Sequence, residues 1–417
     1  MPGYCELLGF VMKKQIALIS TMDTKASEAA FVSELIKRRG HYPLLIDVGP
    51  LSASCEDAAY TSKDVAAAAG EDLVKLIKNP RDKIMAAMGI GAKKILLQLY
   101  AEGKLDGVIG IGGNQGSSIS AAAMRGLPIG FPKYLVSTIA SGNIRPYIAY
   151  TDIVVTFSVA DLVGGPNPVS RAVLANAVAA VIGMAEFGEC IKKSQPEKTI
   201  ALTALGNTEP AANRIFQTLR TFGYEVITFH ASGAGGSAME ELIEHGIFGG
   251  LVDLTPHEIA EEIAGVGSYV PIRPERMSAA GKQGIPQVIS LGGLEYYCAG
   301  IRESLLPSHR RRKIYMHNPL NANVKLTHSE MTSAAELIAE RLNKAKGPVR
   351  VFVPLRGWSV YGAKGGPFYD PKGNAAFLRT FYEKLTPKIT VQEVDAHIND
   401  ETFADACASA IHDTMKR

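Results

Sequence analysis

Gly110, Gly112, Gly113 and Gly116, running into Ser117 and Ser118, form the stretch with the clearest chemistry in the chain. Val108, Ile109 and Ile111 read as the end of a buried strand, and Ser117–Arg125 reads as the helix that follows. A strand that ends in glycines and opens a helix leaves backbone N–H groups at the positive end of the helix dipole. That combination suits a phosphate or a carboxylate. The spacing is not that of a P-loop, because no Gly-Lys-Ser/Thr follows. It is not the dinucleotide fingerprint either, since after Gly110 and Gly112 the third glycine is wrongly placed. The competing reading is a plain turn whose glycines serve only tight packing.

Other polar groups fall after neighbouring strands. In Thr21-Met-Asp-Thr-Lys25, Lys25 is either a phosphate ligand or a surface lysine in the first helical turn, where a cation is mildly unfavourable. Asp23 or Asp152 could hold a magnesium ion bound to the phosphates. Ser137–Asn143 offers hydroxyls and an amide to a ribose or base, and Gly164 and Gly165 begin another loop at the same edge. Further along, Gly233-Ala-Gly-Gly-Ser-Ala-Met-Glu240 is a second glycine loop opening a helix, hence a second candidate anion site. His317 and Arg356 follow predicted strands, and His397 lies between Asp395 and Asp400. Arg356 could grip a carboxylate or phosphate in a fork. His397 is either an oriented general base or a hydrogen-bonded structural histidine.

The elements that must position these residues alternate between strand and helix. Strands are expected at Ile16–Ser20, Leu44–Val48, Gly107–Ile111, Lys133–Ser137 and Ile153–Val159. Helices are expected at Glu28–Arg39, Lys63–Ala69, Arg81–Glu102, with Gly89 and Gly91 as a break or kink, and Ser170–Glu186. This alternation predicts an α/β fold with a doubly wound parallel sheet, and such sheets bind ligands beyond the carboxyl ends of their strands. After a polar linker at Glu189–Glu197 the pattern restarts. Lys14, Ile16, Ala17, Leu18 and Thr24 recur 184 positions later as Lys198, Ile200, Ala201, Leu202 and Thr208. We read a duplicated domain, with residues 1–190 as a nucleotide-binding unit and 197–417 as a substrate or partner unit. His317, Arg356 and His397 are then expected to share a small ligand in the cleft between them. Strands in the second half are expected near 226–229, 250–254, 287–290, 313–316, 349–353 and 390–394.

The 417 residues carry 44 basic against 41 acidic side chains, with 47% hydrophobic residues and one Trp. That is the profile of a globular protein with no charge excess to favour nucleic acid. Five scattered cysteines, without a Cys-x-x-Cys pair, fit a reducing compartment and argue against a disulfide framework or a zinc knuckle. Leu7–Met12 reads as a tail rather than a signal peptide. The apolar helix Ala172–Ala185 is expected to be too short for a bilayer, so a cytoplasmic location without membrane partners is expected.

Together, several of these stretches resemble a known family. It comprises the ATP-binding N-terminal region of the tomato mosaic virus resistance protein and a large set of bacterial relatives. The likeness rests on Ser20–Lys25, Gly110–Ser118, Gly164–Pro168, Gly235–Glu240, His317–Pro319, Gly366–Pro371 and Asp395–Asp400. It implies two Rossmann-like domains, an ATP site and a homodimer. The implied nucleotide ligands are Thr21, Asp23, Thr24, Lys25, Gly112, Gly113, Asn114, Gly116, Ser117, Ser118, Ser137, Asn143, Gly164 and Gly165. The sequence departs from the family pattern at Ser290–Tyr297 and at Lys325-Leu-Thr327. Three functions remain open: an ATP-binding protein, an enzyme acting on a small carboxylate or phosphorylated metabolite through His317, Arg356 and His397, or a pure interaction module.

Overall fold

Short apolar runs flanked by polar loops become parallel strands, and the helices between them cover both faces. The computed structural model describes residues 12–51, 57–191, 195–269 and 272–416. Cys5, Cys55 and all of the Leu7–Met12 tail except Met12 lie outside these residues. The chain divides into two units, Met1–Ile191 and Lys192–Arg417.

In the first unit β1 (Gln15–Ser20), β2 (Tyr42–Asp47), β3 (Gly107–Gly112), β4 (Lys133–Ser137) and β5 (Val154–Phe157) form one parallel sheet in the order β2-β1-β3-β4-β5. Ile16, Leu18, Ile109 and Ile111 bury one face against the helices Met22–Arg38 and Pro168–Phe187. Ala17, Ile19 and Val108 bury the other against Ser62–Ala69, Arg81–Ala101 and Asn114–Met124. Such near-continuous apolar strands are what a sheet covered on both faces requires.

Gly89 and Gly91 do not break the long helix, which runs unbroken from Arg81 to Ala101. Gly91 instead admits a neighbour, because a Cβ there would lie 1.9 Å from the Val65 carbonyl oxygen of Ser62–Ala69. Gly91→Leu should therefore cost about 3 kcal/mol, the upper end of overpacking penalties. Urea unfolding checks this, and a loss under about 0.5 kcal/mol, the range of neutral surface changes, would contradict it. The helix Pro168–Phe187 is also longer than expected. It and Arg81–Ala101 are the two described helices long and apolar enough to cross a membrane, although Pro168–Phe187 packs on the sheet and Arg81–Ala101 on the helices Ser62–Ala69 and Asn114–Met124.

The second unit has a six-stranded parallel sheet in the order β14-β13-β9-β8-β6-β7. Its strands are β6 (Thr199–Ala204), β7 (Glu225–His230), β8 (Gly250–Asp253), β9 (Gln287–Ile289), β13 (Val349–Pro354) and β14 (Thr390–Val394). Between β9 and β13 the chain makes an antiparallel sheet of β10 (Tyr296–Ala299), β11 (Ile314–Asn318) and β12 (Asn321–Lys325). The parallel sheets make both units Rossmann-like. The repeat is visible in the register: Ile16 of β1 pairs with Gly107, and Ile200 of β6, 184 positions on, pairs with Gly250. Each of these strands is flanked by the next two strands of its own sheet.

Candidate functional site

The crossovers of the first sheet reverse direction between β1 and β3. At such a switch point the loops beyond the carboxyl ends diverge and leave a crevice. There Thr21–Lys25, which opens the helix Met22–Arg38, and Gly113–Gly116, which opens Asn114–Met124, line one cavity of about 510 Å³, within the size range of small-molecule sites.

The glycines divide two tasks that the sequence left as alternatives. A Cβ on Gly110 would meet Ser120 Cβ at 2.6 Å, and one on Gly112 would meet Gly116 Cα at 2.8 Å. Those two glycines let the helix pack closely on β3. Gly113 lines the cavity, has extended backbone at φ −80°, and a Cβ there would meet only Thr138 Oγ1, at 3.6 Å. It is the N-cap of Asn114–Met124, and being glycine it supplies no side-chain cap to the first turn. The orphan N–H groups of that turn are available to a ligand.

Opposite, Lys25 interrupts its helix with φ −129° and ψ 23°. The regular helix thus begins after the lysine, which leaves the cation beside the positive end of its dipole, where an anion would be favoured. Thr21 and Thr24 bring their hydroxyls within 3.0 Å of each other. Asp23 accepts from the Thr24 hydroxyl at 3.3 Å and from Leu51 N at 3.4 Å, tying this loop to the one after β2. Buried Asp47 adds a second tie by accepting from Met22 N and Gly49 N.

Thr21, Asp23, Thr24, Lys25, Gly113, Asn114 and Gly116 all line the cavity; the other residues named from the sequence do not. Ser117 and Ser137 are buried behind the loop with their hydroxyls 2.7 Å apart, and Ser117 also donates to Gly112 O. They hold β3, β4 and the helix together. Ser118 is half-buried on the same helix. Asn143 accepts from Arg145 N within its own turn. Gly164 and Gly165 adopt φ +75° and +93° and turn the chain into Pro168–Phe187. Asp152 belongs to the opposite edge: it pairs with Lys133 at the start of β4, 2.6 Å away, and so cannot serve a metal in this cavity.

Sequence reasoning missed Asn79, Arg81 and Gln115, and also the apolar wall of Leu51, Ile77, Ile84 and Met85. With its carbonyl turned toward Arg81, the Gln115 amide accepts from the guanidinium at 2.8 Å. The signal available was a cation in the first turn of a long helix, the same oddity that drew attention to Lys25.

The second unit has not kept this site. Glu209 stands at the repeat position of Lys25, and the loop after β8 is Leu254-Thr-Pro-His257, without glycine. A cavity of about 390 Å³ beyond β6 and β7 is lined by Glu209, Asn213 and His230 among others, with no Lys or Arg. The second glycine loop is already occupied by the protein's own carboxylate: Gly233 N and Gly236 N donate to Glu258 Oε1 at 3.2 and 3.1 Å. Burial pushes the Glu258 carboxyl above its usual range despite Arg276 beside it.

The three candidate catalytic residues are similarly engaged. Arg356 and Asp395 form a bidentate, exposed ion pair at 2.9 and 2.8 Å, so the fork is filled. His397 donates from Nε2 to Ser359 O at 3.1 Å and accepts from Asn399 N at Nδ1, which fixes the tautomer and leaves no ring nitrogen for a substrate. Asp400 accepts from the His397 backbone N–H instead of orienting the ring. His317 does not end a parallel strand; it lies within β11, exposed, with Nδ1 3.2 Å from the Tyr361 hydroxyl.

Nearby, Glu295 is buried, accepts from the Ser359 hydroxyl, and is raised above the usual carboxylate range by burial. His257, at the switch point between β6 and β8, is pushed down to about 4 by burial.

Comparison with known proteins bears on the whole chain. Residues 14–190 match the N-terminal domain, and residues 197–415 the C-terminal domain, of the Uncharacterised protein family (UPF0261). A UPF0261 protein of Clostridium tetani is 36% identical over 97% of this chain and 100% of its own length. One from Rhizobium meliloti is 33% identical over 96% and 99%. The ToMV susceptible protein tm-1(GCR26) of Solanum lycopersicum is 34% identical over 94% of this chain, which spans 54% of the tomato protein. With both domains matched in order, the chain belongs to the UPF0261 family.

Proposed function

We propose that the first unit is an ATP-binding domain, with the triphosphate at the start of Asn114–Met124 and the adenine against Leu51, Ile77, Ile84 and Met85. The observation that carries this reading is the cavity at the β1/β3 switch point, which the start of Asn114–Met124 lines together with Lys25 and Arg81. Helix N-termini and cations together select phosphate, and an apolar wall beside them suits a base. Asp23, the one carboxylate among the lining residues, would hold a magnesium ion bound to the phosphates. The resemblance drawn from Ser20–Lys25 and Gly110–Ser118 supports the same ligand.

Gly113→Val tests the site cleanly, because the fold has room for the side chain and the extended backbone accepts it. Calorimetric titration with magnesium ATP should show affinity falling by about tenfold or more, the loss of one charge-assisted contact, with the circular dichroism unchanged. Equal affinity in a folded variant would move the phosphates elsewhere.

A further inference from the structure

Where the first unit has Asn114 opening a helix beyond β3, the register of the repeat puts His257 beyond β8. His257, Glu261 and Cys298 are all buried, and one potential ligand atom from each lies within 4.8 Å of the others. His257 Nε2 is 3.5 Å from Cys298 Sγ. Bonds of about 2.0–2.3 Å to a tetrahedral zinc place adjacent ligand atoms roughly 3.3–3.7 Å apart, so this pair already has the separation that a shared ion needs.

The surroundings orient the histidine and the carboxylate, while the Cys298 thiol donates to Asn323 Oδ1 at 3.4 Å. His257 donates from Nδ1 to Gly293 O at 2.6 Å, which turns the Nε2 lone pair toward the sulfur. Metal-bound histidines are oriented by this kind of outer contact. Glu261 accepts from Cys298 N at 3.1 Å and from Tyr269 N at 2.8 Å, so the carboxylate is fixed to the strand that carries the thiol. At Gly267, with φ +147°, a Cβ would lie 2.3 Å from Glu261 Oε2, so the loop closes tightly over the cluster. Beside it, Asn207 Oδ1 is buried without a partner among the described residues, while its Nδ2 donates to Tyr296, whose ring lies against His257.

We infer that His257, Glu261 and Cys298 form a zinc-binding site in the second unit. One nitrogen, one oxygen and one sulfur donor suit zinc better than the oxygen-seeking magnesium or calcium. Three protein ligands leave a fourth position for water, the arrangement of zinc sites that activate a bound water. On binding, the Cys298 thiol gives its proton to solvent and the thiolate bonds the metal. The site is independent of the nucleotide cavity.

The test uses the full chain, stripped with a chelator and titrated with cobalt(II) as a spectroscopic stand-in for zinc. One equivalent per chain should bind and give a thiolate-to-cobalt charge-transfer band. Cys298→Ser should lose the band, and His257→Gln should weaken binding by at least about tenfold. Cys407→Ser removes the other buried thiol of this unit and should change neither. Circular dichroism establishes that each variant is folded. A folded wild type that takes up no cobalt, or a band that survives Cys298→Ser, would leave only a buried imidazole–thiol contact and overturn the assignment.

Discussion

Arg276→Met should destabilise the second unit by about 3–5 kcal/mol, the cost of removing one partner from a buried ion pair. Arg276 is fully buried and is held by three carboxylates. Its Nη1 and Nη2 grip Asp253 at 2.7 and 3.0 Å, Nη1 also reaches Glu240 at 3.1 Å, and Nε reaches Glu258 at 3.2 Å. Each carboxylate has a second duty. Glu258 holds the glycine loop, Glu240 accepts from the N–H groups of Met277, Ser278 and Ala279, and Asp253 accepts from the Thr203 hydroxyl. Without the cation, three acids face one another at the end of β8.

The deficit should depend on pH, and its sign follows from Glu258. Its folded pKa is raised by burial, so the folded state favours the protonated form. A raised carboxyl contributes stability that is complete below its unfolded value and is lost as pH rises through the folded one. Loss of Arg276 raises that folded value further. The gap between variant and wild type should therefore narrow as pH falls from mildly alkaline to mildly acidic. Trp358, the single tryptophan, is buried in the second unit and reports its urea unfolding directly. A gap under about 1 kcal/mol, within the range of an ordinary substitution, would contradict the account.

Much of the fold was legible because two-sided burial leaves a plain signal. The run Gly107–Gly112 and the strand Thr199–Ala204 are apolar enough to be read at sight. Of the antiparallel insert, only β11 was expected, near 313–316. β12 reads Asn321-Ala-Asn-Val-Lys325, with polar residues that become buried only through tertiary contacts, as Lys325 does beside Asp370.

The candidate site was legible to the extent that it was built from backbone. Glycines at a strand end mark the proposed phosphate loop in the sequence itself. The apolar wall reaches the cavity from other elements of the unit, and nothing local in those elements points there; Arg81 offered only the weak signal of a cation in a first helical turn. The second glycine loop misled because its backbone donors are indistinguishable in sequence from those of the first. Only the fold reveals that Glu258 fills them. His257, Glu261 and Cys298 escaped for the same reason: the cysteine lies 37 residues beyond the glutamate and joins it through a Cys298 N to Glu261 Oε1 hydrogen bond.

Lys25→Glu should reduce ATP affinity by roughly a hundredfold or more. Losing the charge-assisted contact costs about 1.5–3 kcal/mol, and a carboxylate in its place adds like-charge repulsion with the phosphates. The substitution reproduces in the first unit what the repeat carries in the second, where Glu209 occupies the corresponding position. Lys25→Ala should fall between the two, at about tenfold to a hundredfold. Because Lys25 is only partly buried, salt should weaken ATP binding more in the wild type than in Lys25→Ala.

The most direct measurement is calorimetric titration of magnesium ATP into the wild type, Lys25→Glu and Glu209→Ala at matched salt. Binding of one nucleotide per chain, lost in Lys25→Glu and unchanged in Glu209→Ala, is the predicted result. No binding by the wild type, or affinity that survives Lys25→Glu and falls in Glu209→Ala, would contradict an ATP site between β1 and β3.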